Sequence, residues 1–368
     1  MTVIQSCAIL LILKKLEKNR SPDKTMIKKL PILVAVLIIL LIVESCVERQ
    51  SFAKEDRLEH FFAKEEVTVA VTDSGLGGLS VMANALERMR EAGIFQKAHF
   101  VFFNALFSNE GGYNSLRERE QKIRIFDSAL RSLEKHINPD VILIGCNTLS
   151  ALYEDTAFSH QTTIPVKGII EAGVELIATN LKTHPESRVI LFGTQTTVSE
   201  RIYEQKLVER GFLRERIVSQ ACPDMVPYIE KGYDSDETEM LIYAYVDEAV
   251  RRAGTGSSHL FVSLNCTHYG FASKLWTKAF QSIGITPLGF LNPNNRMNDF
   301  LFPDAQRHRF DHTDVSASVI AMVPIDAQRI ASIGGWLNAV SPKTAAALRN
   351  YTHHPNLFEW KKYVNAEK

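Results

Sequence analysis

The sequence predicts an α/β protein of two pseudo-symmetric domains, each a largely parallel sheet layered with helices. Three observations carry this reading. Short apolar runs alternate with amphipathic segments of helical period, the order expected of strands joined by crossover helices. A scheme of strand, polar loop and helix, followed later by strand, cysteine and helix, is written twice. Asp73-Ser-Gly-Leu-Gly-Gly78 follows the run Val67–Thr72, and Gly193-Thr-Gln-Thr-Thr197 follows Val189–Phe192 120 positions later; Cys146 and Cys266 are also 120 apart, so loop and cysteine are 73 residues apart in both halves. Finally, 368 residues at 45% apolar and 23% charged describe an ordinary globular chain long enough for more than one domain.

The first 60 residues stand outside this scheme. A basic stretch containing Lys14, Lys15, Lys18, Arg20, Lys24, Lys28 and Lys29 precedes the apolar run Ile32–Val43, whose 12 residues are fewer than the ~20 that span a bilayer. Basic, short apolar and small residues before a cysteine describe an export signal, and Val43-Glu-Ser-Cys46 resembles the cleavage box of bacterial lipoproteins. Residues 1–60 are therefore expected to be a signal or membrane-anchoring segment and linker, tethered through Cys46 or through the 32–43 segment, with the remainder facing outward. Met26-Ile-Lys-Lys-Leu30 also makes a conventional signal beginning, so Met26 competes with Met1 as the start. The alternative is a cytoplasmic protein.

In the body, Val67–Thr72 reads as a strand, the Gly75/Gly77/Gly78 loop follows, and Leu79–Ala92 has the spacing of a helix. His99–Phe103 is the next strand, Glu118–His136 an amphipathic helix, and Val141–Gly145 a short buried strand that ends at Cys146. The second half repeats this with strand Val189–Phe192, helices near Glu200–Arg210 and over Glu237–Arg252, and strand Leu260–Leu264 ending at Cys266. Around Pro287–Asn295 regularity fades, and residues 303–368 are expected to form a C-terminal extension of unnamed role.

Ligands of parallel sheets sit beyond the carboxyl ends of strands, where helix N-termini offer amide donors. Both cysteines and both polar loops fall there. A helix N-terminus favours an anion, so each cysteine is expected to be lowered from the free thiol pKa of ~8.5. One such thiol on each half brings the two to opposite faces of a single substrate carbon, the geometry that removes a proton from one side and returns one on the other. That scheme requires no cofactor. Charge excludes other classes: 42 basic and 42 acidic residues, with no one-sign block in the body, give nucleic acid nothing to follow, and the expected ligand is small. Five cysteines form no dense disulfide framework, and Cys222, between Ala221 and Pro223, reads as a core residue. No Cys-x-x-Cys pair exists and Cys266-x-His268 is a poor chelating spacing, so no metal site is expected. His308, His312, His353 and His354 read as surface residues.

Five motifs in sequence resemble the cofactor-independent aspartate/glutamate racemase family, and glutamate racemases most closely: Asp73-Ser-Gly-Leu-Gly-Gly-Leu-Ser-Val81; Cys146-Asn-Thr148 with Ser150-Ala151; Gly193-Thr194 with Thr197 and Tyr203; Ala221-Cys-Pro223 with Val226-Pro227 and Glu230; and Cys266-Thr-His-Tyr269. The resemblance covers about Val67 to Phe300. It implies a site in the cleft between the domains, with Cys146 and Cys266 as the paired acid and base that invert an amino acid's α-carbon, Cys146 acting on the D-form and Cys266 on the L-form. It further implies that Asp73 and His268 assist Cys146 and Cys266 respectively, with Glu230 near His268. Ser74, Asn147, Thr148, Thr194, Thr197 and Thr267 would hold the substrate by hydrogen bonds. The product, D-glutamate, would serve bacterial wall synthesis.

This sequence departs from the family where a Pro-Tyr-Gly segment is replaced by the longer Asn104–Ser115, in which Tyr113 stands for the family tyrosine. Asn265 and Gly270 also stand where the family has glycine and proline. The expected division is 67–165 plus about 270–302 for the first domain and 166–269 for the second. Alternatives to a glutamate racemase are an aspartate or broad-specificity racemase, or a membrane-tethered amino-acid binding protein without catalysis.

Overall fold

The computed structural model describes residues 57–110, 112–254 and 259–364. The expectations placed on the 32–43 segment, Cys46 and the start at Met26 lie outside the described residues. Among the described residues, no helix is long and apolar enough to cross a membrane.

Two sheets form the scaffold, and every strand pair in both is parallel. The first contains β1 (Glu66–Asp73), β2 (Lys97–Asn104), β3 (Val141–Ile144), β4 (Val166–Gly168), β9 (Asp314–Ala321) and β10 (Thr352–His353), in the order β10-β9-β2-β1-β3-β4. The second contains β5 (Arg188–Gly193), β6 (Ile217–Ala221), β7 (Leu260–Asn265) and β8 (Gly289–Leu291), in the order β6-β5-β7-β8. The repeat is now explicit. Around the first strand of each half, β2-β1-β3-β4 and β6-β5-β7-β8 are the same four-strand arrangement, with a cysteine following the third member of each.

Local sequence explains the helices. In α1 (Leu79–Ala92), the residues Val81, Met82, Ala85, Leu86 and Met89 recur at helical spacing and are all buried. The helix stops at Gly93, which takes a left-handed φ of 57° where a Cβ would collide with the Phe310 carbonyl oxygen. Helix α2 (Arg119–Ile137) ends likewise at left-handed Asn138. In the second half, α3 (Ile169–Thr183), α4 (Ile202–Glu209), α5 (Met225–Lys231) and α6 (Asp236–Ala253) follow in order. Helix α6 opens with Ser235 accepting the Thr238 amide at 3.3 Å, acidic residues in its first turn and Arg251 and Arg252 in its last, matching the helix dipole at both ends.

Strand pairing departs from the expected domain boundaries in three places. Residues 270–302 were assigned to the first half, yet they contain α7 (Ser273–Ser282) and β8, and β8 hydrogen-bonds to β7 in the second sheet. The reason is topological. The strand after each cysteine returns through a crossover to lie parallel beside the cysteine's own strand, as β4 lies beside β3. Residues 166–168 accordingly belong to the first sheet. The third change concerns the segment expected as a C-terminal extension, whose described part, 303–364, extends the first sheet: β9 pairs with β2 along its full length and β10 pairs with β9. Val315 and Val319 of β9, Ile333 and Leu337 of α8 (Ala327–Val340) and Ala345 and Leu348 of α9 (Pro342–Arg349) join one contiguous core with Val69, Leu86, Phe192 and Val262.

If this segment is part of the core, truncating it internally has a core-sized cost. Leu337 is fully buried, and Leu337→Ala is expected to lower stability by about 2–5 kcal/mol, read from the urea midpoint at unchanged slope. A change under about 0.5 kcal/mol would show the segment to be an appendage.

Candidate active site

A cavity of about 430 Å³ opens where the carboxyl ends of the two sheets meet, within the usual range of roughly 300–1,000 Å³ for small-molecule sites. Of the residues expected from sequence, Asp73, Ser74, Tyr113, Cys146, Asn147, Thr148, Thr194, Glu230, Cys266, Thr267 and His268 line it. Most stand at or just past a strand end: Asp73 ends β1, Cys146 follows β3, Thr194 follows β5, and Cys266 follows β7, whereas Tyr113 lies in the helical turn Gly112–Ser115 and Glu230 in α5. Thr197 is the exception. It sits behind Thr194, its hydroxyl 3.0 Å from that of Thr194 and 3.5 Å from that of Thr148, and does not reach the cavity.

The two thiols have different neighbours. Cys146 Sγ lies 3.1 Å from the Ser74 hydroxyl and feels the charge of nearby Asp73, whose Oδ2 accepts from Thr267 Oγ1 at 2.8 Å. Cys266 Sγ lies 3.7 Å from His268 Nδ1, and His268 Nε2 is 2.8 Å from Glu230 Oε1. The same Glu230 oxygen accepts the Leu76 amide at 2.8 Å. Asp73 and Ser74 thus neighbour Cys146, and His268 neighbours Cys266. The glycine loop makes this closeness possible. A Cβ on Gly77 would run into Thr267 Oγ1 and His268 Nδ1, and one on Gly75 would come within 2.8 Å of Glu230 Oε1.

Burial sets the charges, and it reverses one expectation. Cys146 is pushed up to about 12, first by burial and then by the Asp73 charge, against which the Ser74 hydroxyl and the Leu149 and Ser74 amides pull it down. Burial likewise pushes Cys266 well above the ordinary thiol range. The helical turn Asn147–Ser150 after Cys146 has only four residues, so its dipole is small beside the cost of burying an anion. Burial also raises Asp73, opposed by the His268 charge and by its bonds to Thr267 and Cys146. Glu230 goes the other way: burial would raise it, but the hydrogen bond and charge of His268, the charge of Arg329 and the Leu76 amide together hold it below the ordinary carboxylate range.

Among the described residues, two uncharged side chains of the cavity lining have a buried polar atom without a hydrogen-bond partner. Tyr203 donates to Asn147 Oδ1 at 2.6 Å, which fixes the amide and leaves its buried Nδ2 unpaired, and the buried Tyr113 hydroxyl is also unpaired. Both are donors available to a ligand. The departing 104–115 segment holds its shape through Asn104 Oδ1 accepting the Leu106 amide at 3.0 Å, and it crosses to the second half where Asn114 Oδ1 accepts the Thr196 amide at 3.3 Å. Leu106, Ser108, Asn109, Glu110, Asn114 and Ser115 all line the cavity.

Sequence reasoning missed Arg329 and Asn114, and it placed Cys222 in the core alone, whereas this buried thiol is also part of the cavity wall. A strand ending at Ala321, with Asp326 capping the helix that carries Arg329, is the signal that could have found the arginine. Among the described residues, no group of three or more His, Cys, Asp or Glu side chains is disposed to hold a metal ion.

The sequence pattern of the Asp/Glu/Hydantoin racemase family matches residues 76–270, more than half of the chain. The chain belongs to this racemase family. A "Glutamate racemase 3" of Caldanaerobacter subterraneus is 30% identical over 201 residues, covering 55% of this chain and 66% of that protein. A glutamate racemase of Chlorobaculum tepidum is 30% identical over 208 residues, 56% of this chain and 70% of its own. In fold, the chain is similar to a Francisella tularensis glutamate racemase crystallised with D-glutamate, with a TM-score of 0.57 at 18% identity over 75% of this chain and 95% of that one. The family match ends before β8 and so leaves out α8 and Arg329.

The elevated thiols have a direct readout in this family member. Alkylation of Cys146 by iodoacetamide in the free protein, followed peptide by peptide by mass spectrometry, is expected to climb about tenfold per pH unit through pH 9 and 10, since the thiolate is the nucleophile and its midpoint is about 12. A plateau by pH 9 would mean an ordinary thiol.

Proposed function

We propose that this racemase is a cofactor-independent glutamate racemase in which Cys146 and Cys266 exchange the α-proton from opposite sides. The observation that carries the reading is two thiols at equivalent positions of two like sheets, lining one cavity, each with its own proton partner. The substrate class is supported by the curated relatives, both glutamate racemases.

The chemistry follows from the charges. In the empty cavity both thiols are held neutral by burial. An entering amino acid brings an ammonium group, which favours anions in the same dry space. The Cys146 proton passes to Asp73, whose own raised pKa narrows the gap between the two acids; alternatively the Cys266 proton passes to His268 Nδ1, with Glu230 stabilising the resulting imidazolium through Nε2. The thiolate so formed removes the α-proton and the opposite thiol supplies one to the other face of the carbon, which leaves that second thiol as the thiolate; the proton held by the first thiol's partner is then released to solvent, and the second thiolate takes one up, so that every group regains its starting state. No proton is gained or lost overall. Charge that moves onto the substrate carboxylate during the step is met by fixed donors, the Asn147 Nδ2 amide among them. Thr267 acts differently. Its hydroxyl hydrogen is committed to Asp73, so its oxygen is left as an acceptor, suited to the ammonium rather than to a carboxylate.

The test is α-proton exchange of L- and of D-glutamate in heavy water by the full-length chain, followed by NMR. Exchange is expected with both enantiomers, reduced by roughly 10²-fold or more in Cys146→Ser and in Cys266→Ser. Glutamate binding without exchange would replace the racemase reading with a binding protein. Gly77→Ala provides an independent check: its new methyl displaces Thr267 and His268 together, so the loss of exchange is expected to fall on kcat while the protein remains folded. Unchanged kcat would remove the need for close packing at this loop.

A further inference from the structure

We infer that Arg329, delivered by the C-terminal strand and helix that lie beyond the family match, is a positioning residue for the Cys266 side of the reaction. It holds Glu230 as an oriented carboxylate for His268. This deepens the two-thiol reading and rests on it.

The relay can be followed atom by atom. Arg329 Nε lies 3.4 Å from Glu230 Oε2, Glu230 Oε1 lies 2.8 Å from His268 Nε2, and His268 Nδ1 lies 3.7 Å from Cys266 Sγ. Arg329 is held in place from below. Asp326 caps α8 by accepting the Arg329 amide at 2.9 Å, and its other oxygen stands 3.3 Å from Arg329 Nε. Next along the helix, Gln328 donates to the Lys231 carbonyl at 3.3 Å, tying the start of α8 to the end of α5, the helix that carries Glu230. Arg329 Nε is buried with no aligned hydrogen-bond acceptor among the described residues, so its hold on Glu230 is that of charge at short range in a dry setting.

The consequence is chemical. A carboxylate 4% exposed tends to take up a proton unless cations face it, and a protonated Glu230 could not stabilise an imidazolium at His268. The groups around it are His268 and Arg329, which favour the ionised form, the Leu76 amide, which does the same, and Asp73, which opposes it. Arg329 is thus the permanent cation of the set, present whether or not His268 carries a proton. Among the described residues no cation is set beside Cys146, whose charged neighbour is Asp73. Arg329 should therefore affect one thiol and spare the other.

The experiment compares wild type with Arg329→Gln in two ways. The first is the pH profile of kcat/KM for glutamate racemisation. Loss of Arg329 is expected to raise the pH at which Glu230 takes a proton, moving the acid limb upward, so that at pH 5 the variant loses roughly tenfold more of its kcat/KM than wild type does, with KM changed less than about threefold. Arg329→Lys, which keeps the charge, should recover most of this. The second is alkylation of individual cysteines against pH by iodoacetamide. Its acid-side profile should shift for Cys266 and stay in place for Cys146. This arm needs no substrate, so it remains informative even if glutamate proves not to be the substrate. Identical profiles in wild type and Arg329→Gln, or equal shifts at both cysteines, would overturn the assignment. Should Arg329→Gln fail to fold, Arg329→Met and Arg329→Lys take its place: a limb kept by lysine and lost by methionine supports the assignment, and a limb unchanged in both overturns it.

Discussion

A buried hydrogen bond of 2.8 Å from Thr267 to Asp73 is the tie on which the site depends. Asp73 ends the first strand of one half and Thr267 directly follows the cysteine of the other, so this single contact relates the two thiols across the seam. Its loss would leave a carboxylate buried without its donor, which is costly in a way that loss of an exposed bond is not. Neighbouring bonds reinforce it. The Leu76 amide reaches across to Glu230, and Asn294 Nδ2 holds both Ser80 Oγ and the Thr267 carbonyl at 2.9 Å. All of them require the glycine loop to lack side chains, since Gly75 and Gly77 lie under Glu230, Thr267 and His268.

The symmetry of the scaffold and the asymmetry of the chemistry serve different ends. Like sheets place like thiols at like positions, which is the arrangement that the proposed exchange from two sides of one centre needs. The partners are unlike: a lone carboxylate beside Cys146, and an imidazole backed by Glu230 beside Cys266. In the proposed reaction, burial is the reason each thiol needs a partner. The same dry surroundings that strengthen every charge interaction in the cavity also make a bare thiolate expensive, so an acceptor must stand within proton-transfer reach.

Much of this was legible in the sequence because it is written as spacing. The 120-residue interval between the cysteines and between the loops became two four-strand units of identical order, and the apolar spacing of Leu79–Ala92 became α1 with the same bounds. What stayed hidden had no periodic signal to give. β4 and β8 have three residues each and β10 two, too few for any pattern. β9 reads Asp-Val-Ser-Ala-Ser-Val-Ile-Ala, whose polar alternate positions look like a surface segment although Val315, Val319 and Ala321 are core. Thr194 and Thr197 are the same residue type three positions apart, and only the turn between them, with Thr194 as the cap, decides which faces the cavity. The direction of the thiol shifts was misjudged for a physical reason: a four-residue helical turn was weighed as a helix, and burial outweighs it.

The C-terminal strand and helix join the two themes. β9 pairs with β2 along its whole length and takes over the outer position of the sheet, with β10 covering only its last two residues. This strand runs parallel to β2, so its carboxyl end necessarily points toward the same side of the sheet as Asp73 and Cys146, and whatever follows it emerges beside the cavity. Extending the sheet and furnishing the site are therefore one event in this fold. An arginine placed one turn into the next helix reaches Glu230 as a consequence of parallel pairing, and a side chain seemingly far outside the motifs comes to stand behind the second thiol's proton partner.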